Sequence, residues 1–137
     1  MSGWVLFVQA GRAMAGSLDE VREVVRATGI EPLAGVRAPV TGLIELRGGP
    51  VPVVDLRSAA DPGSTGDVLV LTTATGVLGL AVDRVTSVLG FDELSPPAPG
   101  EPPPIGLPLY VQEVRRDAAG RAVLVVSLAA LAGLVAA

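Results

Sequence analysis

The run Gly42-Leu43-Ile44-Glu45-Leu46-Arg47-Gly48-Gly49-Pro50-Val51-Pro52-Val53-Val54-Asp55-Leu56 constrains this chain more than any other stretch. Two apolar segments flank a pair of glycines, the local grammar of a β-hairpin. Gly48 and Gly49 are expected to make the tight two-residue turn, since both can take φ > 0 without the steric cost a side chain would incur. On the first strand Glu45 and Arg47 fall on one face at period two. On the second, Pro50 and Pro52 each remove a ladder donor, which confines that part of the strand to an edge, a bulge or the strand start. Arg47 is therefore expected at the mouth of a stiff turn, exposed beside a half-unpaired edge.

The same grammar recurs along the chain. Trp4 to Val8 reads as a strand buried on both faces, and Ala10-Gly11-Arg12 as a turn into Ala13-Met14-Ala15. Ser17-Leu18-Asp19-Glu20 matches a capping box, and Leu18, Val21 and Val25 lie at helical spacing. Val21 to Arg26 also alternates and is rich in β-branched residues. The residues alone leave helix and strand open there. Thr28 to Pro39 reads as a connecting loop, marked by Gly29, Pro32, Gly35 and Pro39, and Asp61 to Asp67 as a flexible loop at a subdomain boundary. Val68 to Thr72 and Val77 to Asp83 form a second hairpin around Ala74-Thr75-Gly76, and Val85 to Leu89 adds a short strand. Ser95 to Pro104 is proline-rich and is expected to be an extended surface tether outside any ladder. Tyr110 to Arg115 and Ala122 to Val126 read as a last hairpin, with Leu128 to Leu134 as a small closing helix. About nine short strands in succession point to an all-β architecture, closed or nearly so because closure hides strand edges. A weak internal echo of Val21 to Val25 in Val85 to Leu89 fits two similar halves.

Composition narrows the function. The 137 residues suit one domain with a real core. Half are hydrophobic but only one Trp, one Tyr and two Phe occur, so Val, Leu and Ala must build that core. Seventeen Gly and 12 Pro favour strands and turns over long helices. All ten basic residues are Arg, set against 14 Asp and Glu, and the net charge of −4 argues against nucleic acid as a partner. Absence of Cys removes disulfides and thiolate metal sites and is compatible with a reducing cytoplasm. The N-terminus lacks the basic region of a signal peptide. The apolar tail from Ala122 to Ala137 is shorter than the roughly 20 residues of a spanning helix and is interrupted by Ser127, so no membrane insertion is expected.

Catalytic constellations are mostly missing. There is no His, Cys or Lys to act as base, nucleophile or Schiff-base amine. A P-loop is excluded for the same want of lysine. Asp55 and Asp83 each end an apolar strand, and a converging pair could serve a small hydrolytic or ligand-binding barrel. The simpler expectation is structural: each accepts hydrogen bonds from turn amides at a strand end. No catalytic residue, metal or cofactor is expected.

The Gly42-to-Leu56 stretch closely resembles the G-x-I-N-L-R-G-x-x-x-P-V-x-D-L signature of the CheW family, the coupling proteins of bacterial chemotaxis arrays. Leu78-Gly79-Leu80-Ala81-Val82-Asp83-Arg84-Val85 is similar to that family's G-x-x-V-D-x-V, and Val21-x-Glu23-Val24, Pro96, Pro97 and Tyr110 add support. The resemblance covers nearly the whole chain. It implies one CheW-like domain, residues 1–137, made of two intertwined five-stranded SH3-like β-barrels with a short C-terminal helix. It also tips Leu18 to Glu20 to a single helical turn and Val21 to Arg26 to a strand. For function it implies a cytoplasmic, non-enzymatic adaptor that links chemoreceptor tips to the regulatory domain of the histidine kinase CheA; an orphan CheW-like scaffold in another signalling system and a self-associating ring component are the alternatives it leaves open. Partner contacts would involve Val21, Glu23, Gly42, Glu45 and Arg47. Three positions depart from the family pattern: Glu45 replaces Asn, Met14 an aromatic, and Gln112-Glu113 a glycine after Tyr110.

Overall fold

The computed structural model describes residues 2–36, 38–58 and 65–133. Eleven strands and one short helix account for its regular structure, apart from two single 3₁₀ turns. In chain order they are β1 (Trp4–Gln9), β2 (Arg12–Ser17), β3 (Val21–Arg26), β4 (Glu31–Pro32), β5 (Gly42–Leu46), β6 (Gly49–Asp55), β7 (Asp67–Thr73), β8 (Gly76–Val82), β9 (Arg84–Leu89), β10 (Val111–Arg116), β11 (Ala122–Val126) and α1 (Leu128–Leu131). The all-β expectation holds.

Two sheets share these strands. One has five, in the order β10-β11-β2-β1-β9, and the other six, in the order β3-β7-β8-β6-β5-β4. The chain starts in the first sheet, builds the whole of the second, and returns to finish the first. Beyond β9, Ser95 pairs with Arg116 of β10 through two backbone hydrogen bonds of 2.8 and 3.1 Å, which ties the segment that follows one end of the five-stranded order to the strand at its other end. Ser95 thus enters a ladder that its proline-rich surroundings were expected to avoid. The rest of that stretch, through Leu109, makes no strand and is exposed.

Alternation of side chains explains why so many strands read as unbroken apolar runs. Along β7, Val68 and Val70 point into the second sheet's own core, while Leu69 and Leu71 point at the first sheet. Val53 and Val54 of β6 divide the same way. On the other side of the interface, Val5, Phe7, Met14 and Val126 meet Leu69, Leu71 and Leu80, and Trp4, Ala15, Val123 and Val125 fill the first sheet's interior. Each strand buried on two faces needs no polar alternation. Three cores result: one inside each sheet and one between them, the last being the largest.

Local expectations met several outcomes. Leu18–Glu20 is a single 3₁₀ turn followed by β3, and the Ser17 hydroxyl accepts from the Asp19 amide at 3.2 Å. Glu20, the capping-box acid, instead accepts from the Leu128 amide at the start of α1. The loop expected between Thr28 and Pro39 contains β4, which pairs with β5 through Glu31↔Leu43 and Pro32↔Gly42. A Cβ built on Gly42 would stand 2.5 Å from the Glu31 carbonyl oxygen, so this pairing needs a glycine there. Helix α1 is described from Leu128 to Leu131; residues 134–137, and Asp61 to Ser64 of the expected flexible loop, lie outside the described residues.

Candidate functional site

The β5–β6 hairpin turns one residue earlier than the glycine pair suggested. Leu46 pairs with Gly49, so Arg47 and Gly48 are the two turn residues and Gly49, at φ +113°, opens β6. Gly49 supplies the positive φ, and a Cβ at Gly48 would meet open space. Arg47 is therefore on the turn itself, not beneath it, and its side chain is exposed. Glu45 is exposed one pair below, opposite Pro50. Among the described residues Arg47 forms no ion pair, with Glu45 or any other acid. The two prolines sit where β6 has only β5 as a neighbour, since its pairing with β8 begins at Val53. Proline costs no ladder bond on that open side.

Across from the hairpin lies β3, the first strand of the same sheet, bonded to β7 alone. Its register with β7 shifts between Val21 and Glu23. The extra residue reverses the side-chain parity. Val21 accordingly packs on the core between the sheets, while Val25 packs on the second sheet's own core. Glu23 and Val25 then share a face directed toward the hairpin.

Between β3 and the hairpin runs a groove of about 770 Å³. Its walls carry Arg22 and Glu23 on one side and Glu45 and Arg47 on the other. Its floor is apolar, formed by Val25, Val51, Val70 and Val77, all members of the second sheet's core or packed against it. Three residues expected to contact a partner, Glu23, Glu45 and Arg47, meet here although they come from separate strands. Val21 and Gly42 line no part of the groove: the first is turned to the central core, and the second is buried against Glu31. Arg22 and the valine floor were missed by sequence reading, because the bulge that orients β3 leaves no mark in a Val-Arg-Glu-Val-Val alternation. An apolar floor between two cations and two anions is chemically a seat for an amphipathic protein element.

The carboxylates at the strand ends are fully engaged in holding loops. Asp55 accepts from the Arg57 amide at 3.0 Å and pairs with its guanidinium at 2.7 and 3.0 Å. Those bonds keep its carboxyl below the ordinary value. Arg57 in turn donates to the carbonyls of Ala27 and Thr65. Asp83 is 7% exposed and accepts from the Ser58 amide at 2.6 Å, the Ser58 hydroxyl at 2.7 Å and the Ala10 amide at 2.8 Å. Its own amide donates to Gln9 Oε1, and Gln9 Nε2 donates to the Leu56 carbonyl. Burial alone would raise its pKa, but the bonds from Ser58 and Ala10 outweigh burial and hold it low. The amides on Asp83 come from two distant loops, so it clamps tertiary structure rather than a local turn. Asp55 borders a shallow groove with Ile30, Pro32, Thr41 and Arg57, and Asp83 is not part of that lining. Among the described residues no cluster of three acids could hold a metal ion. No helix of the described residues is long and apolar enough to cross a membrane.

Comparison with known proteins addresses the family and the fold. The family model of the CheW-like domain matches residues 3–135. A chemotaxis protein CheW of Thermotoga maritima is 33% identical over 86 residues, a match covering 60% of this chain and 57% of that protein. The aligned part thus spans little more than half the length of that curated relative. The crystal structure of a scaffolding protein CheW from Thermoanaerobacter tengcongensis superimposes with a TM-score of 0.67 at 21% identity, over 93% of this chain and 86% of that one. At that identity the likeness is one of fold.

Proposed function

The chain belongs to the CheW-like domain family, and from that premise we propose that it is a non-enzymatic adaptor coupling chemoreceptors to the histidine kinase CheA in the cytoplasm. The observation that carries this reading is the groove between β3 and the β5–β6 hairpin, where Glu23, Glu45 and Arg47 surround an apolar floor. An adaptor needs a surface for another protein, and this one combines exposed charge for orientation with apolar area for affinity. The want of His, Cys and Lys supports a role without chemistry of its own, as does the engagement of Asp55 and Asp83 in loop contacts.

Within the groove Arg47 is the anchor. It stands on a two-residue turn, exposed and without an intramolecular carboxylate among the described residues, so it is available to a partner's carboxylate or helix C-terminus. Val21 and Gly42 contribute indirectly, by setting the positions of β3 and β5. The test compares wild type with Arg47→Ala on the same samples, reading melting temperature and affinity for a receptor-tip fragment and a CheA regulatory-domain fragment. Removing an unpaired exposed arginine should leave stability within about 0.5 kcal/mol. Binding to at least one fragment should weaken by about 2 kcal/mol or more, as for an arginine hot spot. Unchanged affinity for both fragments would reject the assignment, and an unfolded variant would make Arg47 structural.

A further inference from the structure

The five-stranded sheet has an open mouth of its own, and we propose that it is a second docking site, one that takes an acidic segment of a partner protein. A groove of about 560 Å³ opens there above Leu6, Val8 and Val123. Leu6 and Val123 belong to the apolar interior of that sheet. Three arginines line the groove from three separate elements: Arg12 at the start of β2, Arg84 at the start of β9, and Arg121 just before β11. One acid lies with them, Asp117, whose Oδ2 accepts from Arg121 Nε at 3.0 Å. Among the described residues neither Arg12 nor Arg84 pairs with a carboxylate.

Three cations against one anion leave this mouth with a local charge of +2, on a chain whose net charge is −4. The groove beside β3 differs, with two arginines balanced by two glutamates. A concentration of unpaired guanidinium groups on an acidic protein selects for anions, and the planar fork of each matches a carboxylate. The apolar floor decides which anion. Thr86 spends its hydroxyl on the Leu6 carbonyl and Ser87 offers one further donor, but Leu6, Val8 and Val123 give a small inorganic ion nothing, whereas an acidic residue flanked by a bulky apolar one can place its carboxylate on the arginines and its neighbour on the floor. Nucleic acid is disfavoured by the overall charge. The site is separate from the β3 groove, so its failure would leave the reading of that groove untouched.

The intact chain can be titrated against a short fluorescein-labelled peptide in which glutamates alternate with leucines, followed by fluorescence anisotropy. The glutamate peptide should bind and weaken as salt is added, while its glutamine counterpart should not bind. Arg12→Gln with Arg84→Gln should weaken binding by about tenfold or more. Both substituted side chains are exposed, so the circular dichroism spectrum should persist; if it does not, Arg84→Gln alone provides the comparison, with a smaller loss expected. The proposal is overturned if the wild type fails to bind, if the glutamine peptide binds equally, or if the arginine variant binds like wild type. Complete displacement by inorganic phosphate at constant ionic strength would also overturn it, in favour of a small-anion site.

Discussion

At the scale of single residues, Asp83 shows how a charged group can be part of a core. Its carboxylate leaves water but gains two amide donors and a hydroxyl, from two loops far apart in sequence that Gln9 also ties together. Asp83→Asn puts an NH₂ group where a carboxylate oxygen received donors, and should cost about 2–4 kcal/mol in chemical denaturation. The pH dependence follows from the depressed pKa. The ionised form is favoured by folding, so its contribution is fully present above the ordinary aspartate value and is lost as pH falls through the lower folded-state value. Melting temperature measured against pH should therefore drop on the acid side for wild type and drop less for Asp83→Asn, with Asp55 and Asp117, also held low, contributing to what remains. An identical acid limb in both proteins would show that Asp83 does not carry this charge. A structural role for both acids was legible from Asp at the end of an apolar strand. The identity of the donors was not, because Ala10 and Ser58 are brought to Asp83 by tertiary folding alone.

At the scale of elements, the hairpin and β3 teach different lessons. Apolar runs around glycines located β5 and β6 to within a residue, yet the turn fell on Arg47-Gly48 because one positive-φ glycine at the start of β6 suffices. Arg47 was placed correctly as exposed, and its position on the turn itself follows from that one-residue shift. On β3 the helical spacing of Leu18, Val21 and Val25 was misleading, since the bulge at Arg22 sends Val21 and Val25 to different cores. Strand β4 gave no sequence signal, being two residues long and containing a proline. Its existence explains Gly42. Gly42→Ala would force a Cβ against the Glu31 carbonyl and should destabilise the protein by about 1–3 kcal/mol. Partner affinity per folded molecule should change far less than for Arg47→Ala. A stable Gly42→Ala protein with lost binding would instead make Gly42 a contact residue.

At the scale of the whole molecule, the central core joins the two sheets: Val5, Phe7 and Met14 from one pack with Leu69, Leu71 and Leu80 from the other. Exposing that core on either side would forfeit the burial of both, so we propose that the two sheets fold as one domain. Trp4, the sole tryptophan, sits in the interior of the first sheet. Its fluorescence and the far-ultraviolet circular dichroism of all strands should report the same denaturation midpoint; separated midpoints would mean two independent units. Coupling, however, is the central claim, and it requires that one molecule hold two partners together. The most direct measurement is the mass, by sedimentation or light scattering, of the chain mixed with a receptor-tip fragment and a CheA regulatory-domain fragment. The account predicts a species containing all three, reduced when Arg47 is replaced by Ala. Mutually exclusive binding of the two fragments, or no binding of either, would contradict it.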